Sequence, residues 1–150
     1  MVEEQIEILL VEDDPNDLAL TMHALREGHI CNHVQIARDG EEALDFLLRR
    51  SAFRDRDPKF PPKLILLDLK LPKVSGLEVL NQIRNDVTTR TLPVVILTSS
   101  RQEEDLVRSY RLGVNSYIQK PVDFDQFRET IKHLGYYWLV VNQGPPQTVS

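Results

Sequence analysis

Leu64–Pro72 reads LILLDLKLP. Its first five residues form an apolar run that closes on Asp68. A strand with no polar face has no side to turn to water, so it belongs in a parallel sheet with helices on both faces. The same pattern repeats outward from this point. Ile6–Val11 (IEILLV) predicts a strand running into Glu12, Asp13 and Asp14. His33–Ala37, Pro93–Leu97 (PVVIL) and Ser116–Gln119 predict three more strands. Helical patterns fill the gaps. Asp14–Pro15 opens the first, an N-cap followed by the imino acid that suits the first helical position. Leu18, Met22 and Leu25 give that helix one apolar face, and Gly28 ends it. Asp39–Gly40–Glu41–Glu42 starts a second helix carrying Ala43, Leu44, Leu47 and Leu48. Gly76–Asp86 is a third, with Leu77, Leu80 and Ile83 on one side. Glu103–Leu112, ending at Gly113, is a fourth, and a long fifth helix begins at Asp123.

Five βα units in sequence predict an α/β fold: a doubly wound, flavodoxin-like, five-stranded parallel sheet of order 2-1-3-4-5, with helices on both faces. Its ligand site belongs at the carboxyl ends of the strands. The 150 residues suit one domain, taken as 1–141 and followed by a tail over 142–150. The 18 Lys and Arg against 23 Asp and Glu leave a formal charge of −5, which argues against a nucleic-acid partner. Cys31 is the only cysteine, so neither an intramolecular disulfide nor a cysteine zinc cluster can form. His23, His29, His33 and His133 show no metal-ligand spacing. No apolar run approaches the roughly 20 residues of a membrane span, and the acidic start MVEEQIE lacks the features of a signal peptide. The expectation is a cytoplasmic chain with no membrane partner.

The residues just past each strand decide the chemistry. Glu12, Asp13 and Asp14 come after the first strand, and Asp68 ends the third. Thr98, Ser99 and Ser100 come after the fourth, and Lys120–Pro121 after the fifth. The fold brings these groups to one edge. Clustered carboxylates repel one another unless a cation neutralises them. An all-oxygen set suits Mg²⁺, which keeps some of its waters and is commonly shared with a phosphate. The lysine can hold a phosphoryl oxygen as a point charge, and the threonine hydroxyl can bond another.

Taken together, VEDD at Val11–Asp14, LLDLKLP at Leu66–Pro72, Gly76, LTSS at Leu97–Ser100, Tyr117 and Lys120–Pro121 resemble the receiver domains of two-component response regulators. The resemblance spans Ile6 to Leu134 and keeps family order and spacing. It implies that Asp68 is the phosphoacceptor, charged by a histidine kinase, and that Thr98 and Lys120 bind the phosphoryl group. It implies Mg²⁺ held by Asp13, Asp68 and the backbone carbonyl of Lys70, with Glu12 acting through water. Tyr117 becomes the rotameric partner of Thr98 in the switch, and Pro121 comes after a cis peptide. Asp14 reads better as a helix cap than as a ligand. Lys70 and Ser100 occupy the positions that tune attack by water, and neither suits that task, so self-dephosphorylation should be slow. The chain is then a signalling phosphoprotein acting through protein contacts and catalysing only its own phosphorylation and dephosphorylation.

Other readings fit less well. A haloacid dehalogenase phosphatase would place a second aspartate where Lys70 stands. A flavodoxin-type cofactor site needs a phosphate-cradling loop after the first strand, where Glu12, Asp13 and Asp14 would repel phosphate. A DNA-binding regulator would need an output domain as well. The loop Arg49–Lys63 mixes six basic residues with Asp55 and Asp57 and reads either as a solvated loop or as a partner-docking insert. With its prolines Pro58–Pro62, and with Leu134–Pro146 (LGYYWLVVNQGPP), the chain resembles the stand-alone regulators that partner cyanobacterial phytochrome histidine kinases. Tyr136, Tyr137, Leu139 and Val140 make the end of the fifth helix apolar nearly all round. Folding back over the domain's own edge is one outcome; the expectation is a twofold homodimer with an interface of Tyr110, Tyr136, Tyr137, Trp138 and Val140.

Overall fold

The computed structural model describes residues 7–27, 33–99 and 111–134. The strands are β1 (Ile8–Val11), β2 (Val34–Ala37), β3 (Leu64–Asp68), β4 (Val94–Thr98) and β5 (Ser116–Gln119). They form one parallel sheet of order β2-β1-β3-β4-β5, as the alternating pattern predicts. The described helices are α1 (Pro15–Glu27), α2 (Gly40–Leu47), α3 (Gly76–Asn85) and α4 (Phe124–Leu134), the last being the helix expected from Asp123 onwards. The predicted helix over 103–112 falls almost entirely outside the described residues. So do the end of the first helix at Gly28, the tail over 142–150, and Tyr110, Tyr136, Tyr137, Trp138 and Val140.

Because side chains alternate along a strand, each central strand serves two cores. Ile8, Leu10, Leu64, Leu66, Val95 and Leu97 face α1 and α4, meeting Leu18, Leu25, Phe127 and Ile131. Leu9, Val11, Ile65, Leu67, Val94 and Ile96 face α2 and α3, meeting Leu44, Phe46, Leu80 and Ile83. Thr21 shares the buried side of α1 with Leu18, Ala24 and Leu25, and its hydroxyl has no hydrogen-bond partner among the described residues. Helix α2 starts on an N-cap: the Asp39 carboxylate accepts from the Glu42 N–H, and the Glu42 carboxylate reaches back to accept from the Arg38 N–H just before the cap.

The insert between α2 and β3 does not behave as a solvated loop throughout. Arg49 and Ser51 take positive φ (56° and 53°), which turns the chain back against α2. The Arg56 guanidinium lies 4.0 Å above the Phe46 ring and donates to the carbonyls of Phe46 and Phe60. Phe53 packs edge-on against Phe46 at 5.2 Å. Burial among these groups pulls the Arg56 pKa below its usual value, with the Arg49 charge adding to the effect. Around it, Arg50, Arg54, Lys59 and Phe60 remain exposed.

Candidate functional site

The register of the sheet collects the acidic residues. Val11 pairs with Leu67, and Asp68 pairs with Leu97. Glu12 and Asp68 therefore leave neighbouring strands almost level. The Glu12 N–H donates to Ala37, which keeps β1 in line as it ends. Beyond it the chain turns into α1, and the Asp14 carboxylate accepts from the N–H groups of Asn16 and Asp17. Asp14 is thus the helix cap, as expected. One oxygen from each of Glu12, Asp13 and Asp68 falls within 4.8 Å of the others. Glu12 and Asp68 are buried, and Asp13 is exposed at the mouth.

Lys120 enters from the end of β5. Its backbone N–H donates to the Thr98 carbonyl at 2.9 Å, and its peptide bond to Pro121 is cis. The ammonium donates to Asp68 Oδ2 (2.8 Å), Asp17 Oδ2 (2.9 Å) and Glu12 Oε1 (3.0 Å). The other Asp68 oxygen, Oδ1, accepts from the Lys70 N–H at 3.1 Å. This places the Lys70 backbone beside Asp68 while the residue itself is exposed. Asp17 is a partner not expected from the sequence. Its signal was present: it lies four residues after Asp13, one helical turn away, in the first turn of α1.

Electrostatics reflect this crowding. Burial pushes the Glu12 pKa up to about 7, the Asp68 carboxylate pushes in the same direction, and Lys120 only partly offsets them. Burial alone would lower the Lys120 pKa, but its hydrogen bonds to Asp68 and Asp17 and the surrounding negative charge raise it well above the usual value. One ammonium thus faces more carboxylate than it can neutralise, which together with burial is why the Glu12 carboxyl is pushed up. A second, oxygen-seeking cation fits this donor set. The cleft above Asp68 is about 250 Å³ and is lined by Asp13, Asp17, Lys70, Thr98, Ser99 and Lys120. Thr98 is buried at the end of β4, the strand beside Asp68, and lines the same cleft. Tyr117 stands one position along β5 from Ile118, with 43% of its surface exposed.

Comparison with known proteins agrees with this geometry. The sequence profile of the response regulator receiver domain matches residues 8–132. The probable methanogenesis regulatory protein FilR2 of Methanothrix harundinacea is 40% identical over 138 residues, 92% of this chain and 86% of its own. Response regulator Rcp1 of Synechocystis is 38% identical over 132 residues, 88% of each chain. The solved Mn²⁺-bound form of Rcp1 superposes with a TM-score of 0.73 at 36% identity, covering 91% of this chain and 95% of that one. The bacteriophytochrome response regulator RtBRR superposes with a TM-score of 0.83 at 53% identity, covering 95% of this chain and 86% of that one. With its sheet order, its acidic edge and a profile match over most of its length, this chain belongs to the response regulator receiver domain family.

Proposed function

We propose that Asp68 is the phosphoacceptor of this signalling protein. The observation that carries the reading is the pair of contacts on its carboxylate: the Lys70 N–H on one oxygen and the Lys120 ammonium on the other. An Asp68 oxygen attacks the phosphorus of a kinase phosphohistidine. The new O–P bond forms as the P–N bond breaks, and the imidazole leaves with the electron pair. Lys120 tracks the charge onto the phosphoryl oxygens, and the Thr98 hydroxyl donates to one of them. Asp13, Asp68 and the Lys70 carbonyl would hold Mg²⁺, with Glu12 reaching it through water. When bound, the ion neutralises phosphoryl oxygens in the transition state. Thr98 moving inward opens space for Tyr117, which changes the surface around β5.

The likeness to Rcp1 and RtBRR supports a phytochrome histidine kinase as the donor. The apolar, aromatic run after Leu134 supports a homodimer as the signalling form.

The test is phosphoryl transfer from a labelled phytochrome histidine kinase, compared with kinases of other sensor types. Acid-labile label should appear on the unsubstituted chain in Mg²⁺, fastest from the phytochrome kinase. It should be absent in EDTA and in Asp68→Asn. Label persisting in Asp68→Asn would overturn the assignment. Analytical ultracentrifugation with and without beryllofluoride tests the dimer, and a monomer under both conditions would exclude it.

A further inference from the structure

The loop between β3 and α3 carries Lys70, whose carbonyl the proposed metal site uses. The groups that hold this loop come from elsewhere in the chain. At its base, the Gly76 N–H donates to the Leu69 carbonyl at 3.0 Å. A Cβ at Gly76 would run into the Asp68 carbonyl oxygen and lie 2.6 Å from Leu69 Cα, so the first turn of α3 is pressed onto the backbone of Asp68 itself. At its outer side the loop rests on the start of α2. The Gly40 N–H donates to the Pro72 carbonyl at 3.5 Å. A Cβ at Gly40 would run into the Val74 carbonyl oxygen and lie 2.8 Å from Val74 Cβ. Those are backbone atoms and a branched side chain, which cannot step aside without moving the loop. Between Pro72 and Val74, Lys73 adopts a left-handed φ of 67°. Its ammonium lies 3.6 Å from both the Asp39 and the Glu41 carboxylates.

We infer that the N-terminus of α2 is the seat of the β3–α3 loop, and that Gly40 and Lys73 are positioning residues for the metal-binding backbone at Lys70. The bare Cα of Gly40 lets the two backbones meet, and the Lys73 ion pairs draw the loop down onto the helix. Because Asp39 also caps α2, one residue joins the helix start and the loop latch. The inference rests on the metal reading of the acidic edge. A carbonyl ligand acts only if it is held at coordination distance, so lifting the loop should weaken the metal without touching any carboxylate.

Mn²⁺ titrated into the full chain, with free ion monitored by electron paramagnetic resonance, reads this directly. The expected result for Gly40→Ala is at least tenfold weaker Mn²⁺ binding, with the β-sheet amide shifts retained. Gly113→Ala is the control for lost stability. It strains a backbone at φ 84° in the turn that leads into β5, at the end of the sheet away from the site, and should leave Mn²⁺ affinity within twofold. If Gly40→Ala does not fold, Lys73→Glu decides the matter. Added negative charge alone would tighten a cation, whereas repulsion from Asp39 and Glu41 would lift the loop and weaken binding about threefold. Unchanged affinity in folded Gly40→Ala, or tighter or unchanged binding in Lys73→Glu, would overturn the inference. Failure of the unsubstituted chain to take up Mn²⁺ would overturn the metal reading and this inference with it.

Discussion

The Lys120 ammonium sits 2.8 Å from Asp68 Oδ2 and 3.0 Å from Glu12 Oε1, bridging two buried carboxylates that arrive on different strands. Only 7% of the Lys120 side chain is exposed. One cation therefore holds together a cluster that would otherwise repel itself.

Removing that cation should be costly. Lys120→Met leaves Glu12 and Asp68 buried and facing each other, and breaking a buried ion pair in this way destabilises by about 3–5 kcal/mol. Mg²⁺ should recover part of the loss by standing in for the ammonium. Urea unfolding with EDTA and with Mg²⁺ measures both effects. Equal stability of the variant and the unsubstituted chain in EDTA would contradict this account of the cluster.

Glu12 makes metal-free stability depend on pH. Its folded pKa of about 7 lies above the ordinary 4.5, so the folded chain keeps a proton that the unfolded chain has released. Stability contributed by this group is present below pH 4.5 and declines as pH rises towards 7. Glu12→Gln keeps the shape and removes the titration. In EDTA its unfolding midpoint should fall less between pH 5 and pH 7.5 than that of the unsubstituted chain. Parallel pH profiles would rule the effect out.

Thr21 offers a stabilising substitution. Its hydroxyl is buried on α1 with no partner among the described residues, and Thr21→Val replaces it with a methyl group of the same shape. The expected gain is about 1 kcal/mol, the desolvation cost of the unmet hydroxyl. A higher thermal midpoint with unchanged phosphorylation is the outcome to look for, and a lower midpoint would count against it.

Arg56 holds the insert down. Arg56→Ala removes the contact over Phe46 and two hydrogen bonds to carbonyls, and should cost about 1–2 kcal/mol. The loosened loop should also be cut by trypsin at Arg54 well before the rest of the domain. Unaltered cleavage kinetics would show that the loop is held by other contacts.

Much of this protein was legible in the order of its residues. Strands such as Leu64–Asp68, apolar on both faces, can be satisfied only inside a covered parallel sheet, so LILLD already implied the layers. The ends of the strands then named Glu12, Asp13, Asp68, Thr98 and Lys120 as neighbours, because parallel strands deliver their carboxyl ends to one edge. Side-chain reach and close approach were not legible, since both depend on how helices settle on the sheet. Asp17 became a partner of Lys120 only when α1 packed its first turn beside the end of β5. The mixed-charge insert looked solvated because composition does not reveal that Arg56 would find the face of Phe46 ten residues earlier. Gly40 read as an ordinary residue at a helix start until α2 and the β3–α3 loop came together, closer than any side chain would allow. Periodicity along the chain determines which faces are buried; only the packed structure decides which atoms touch, because contact depends on distances between elements far apart in sequence.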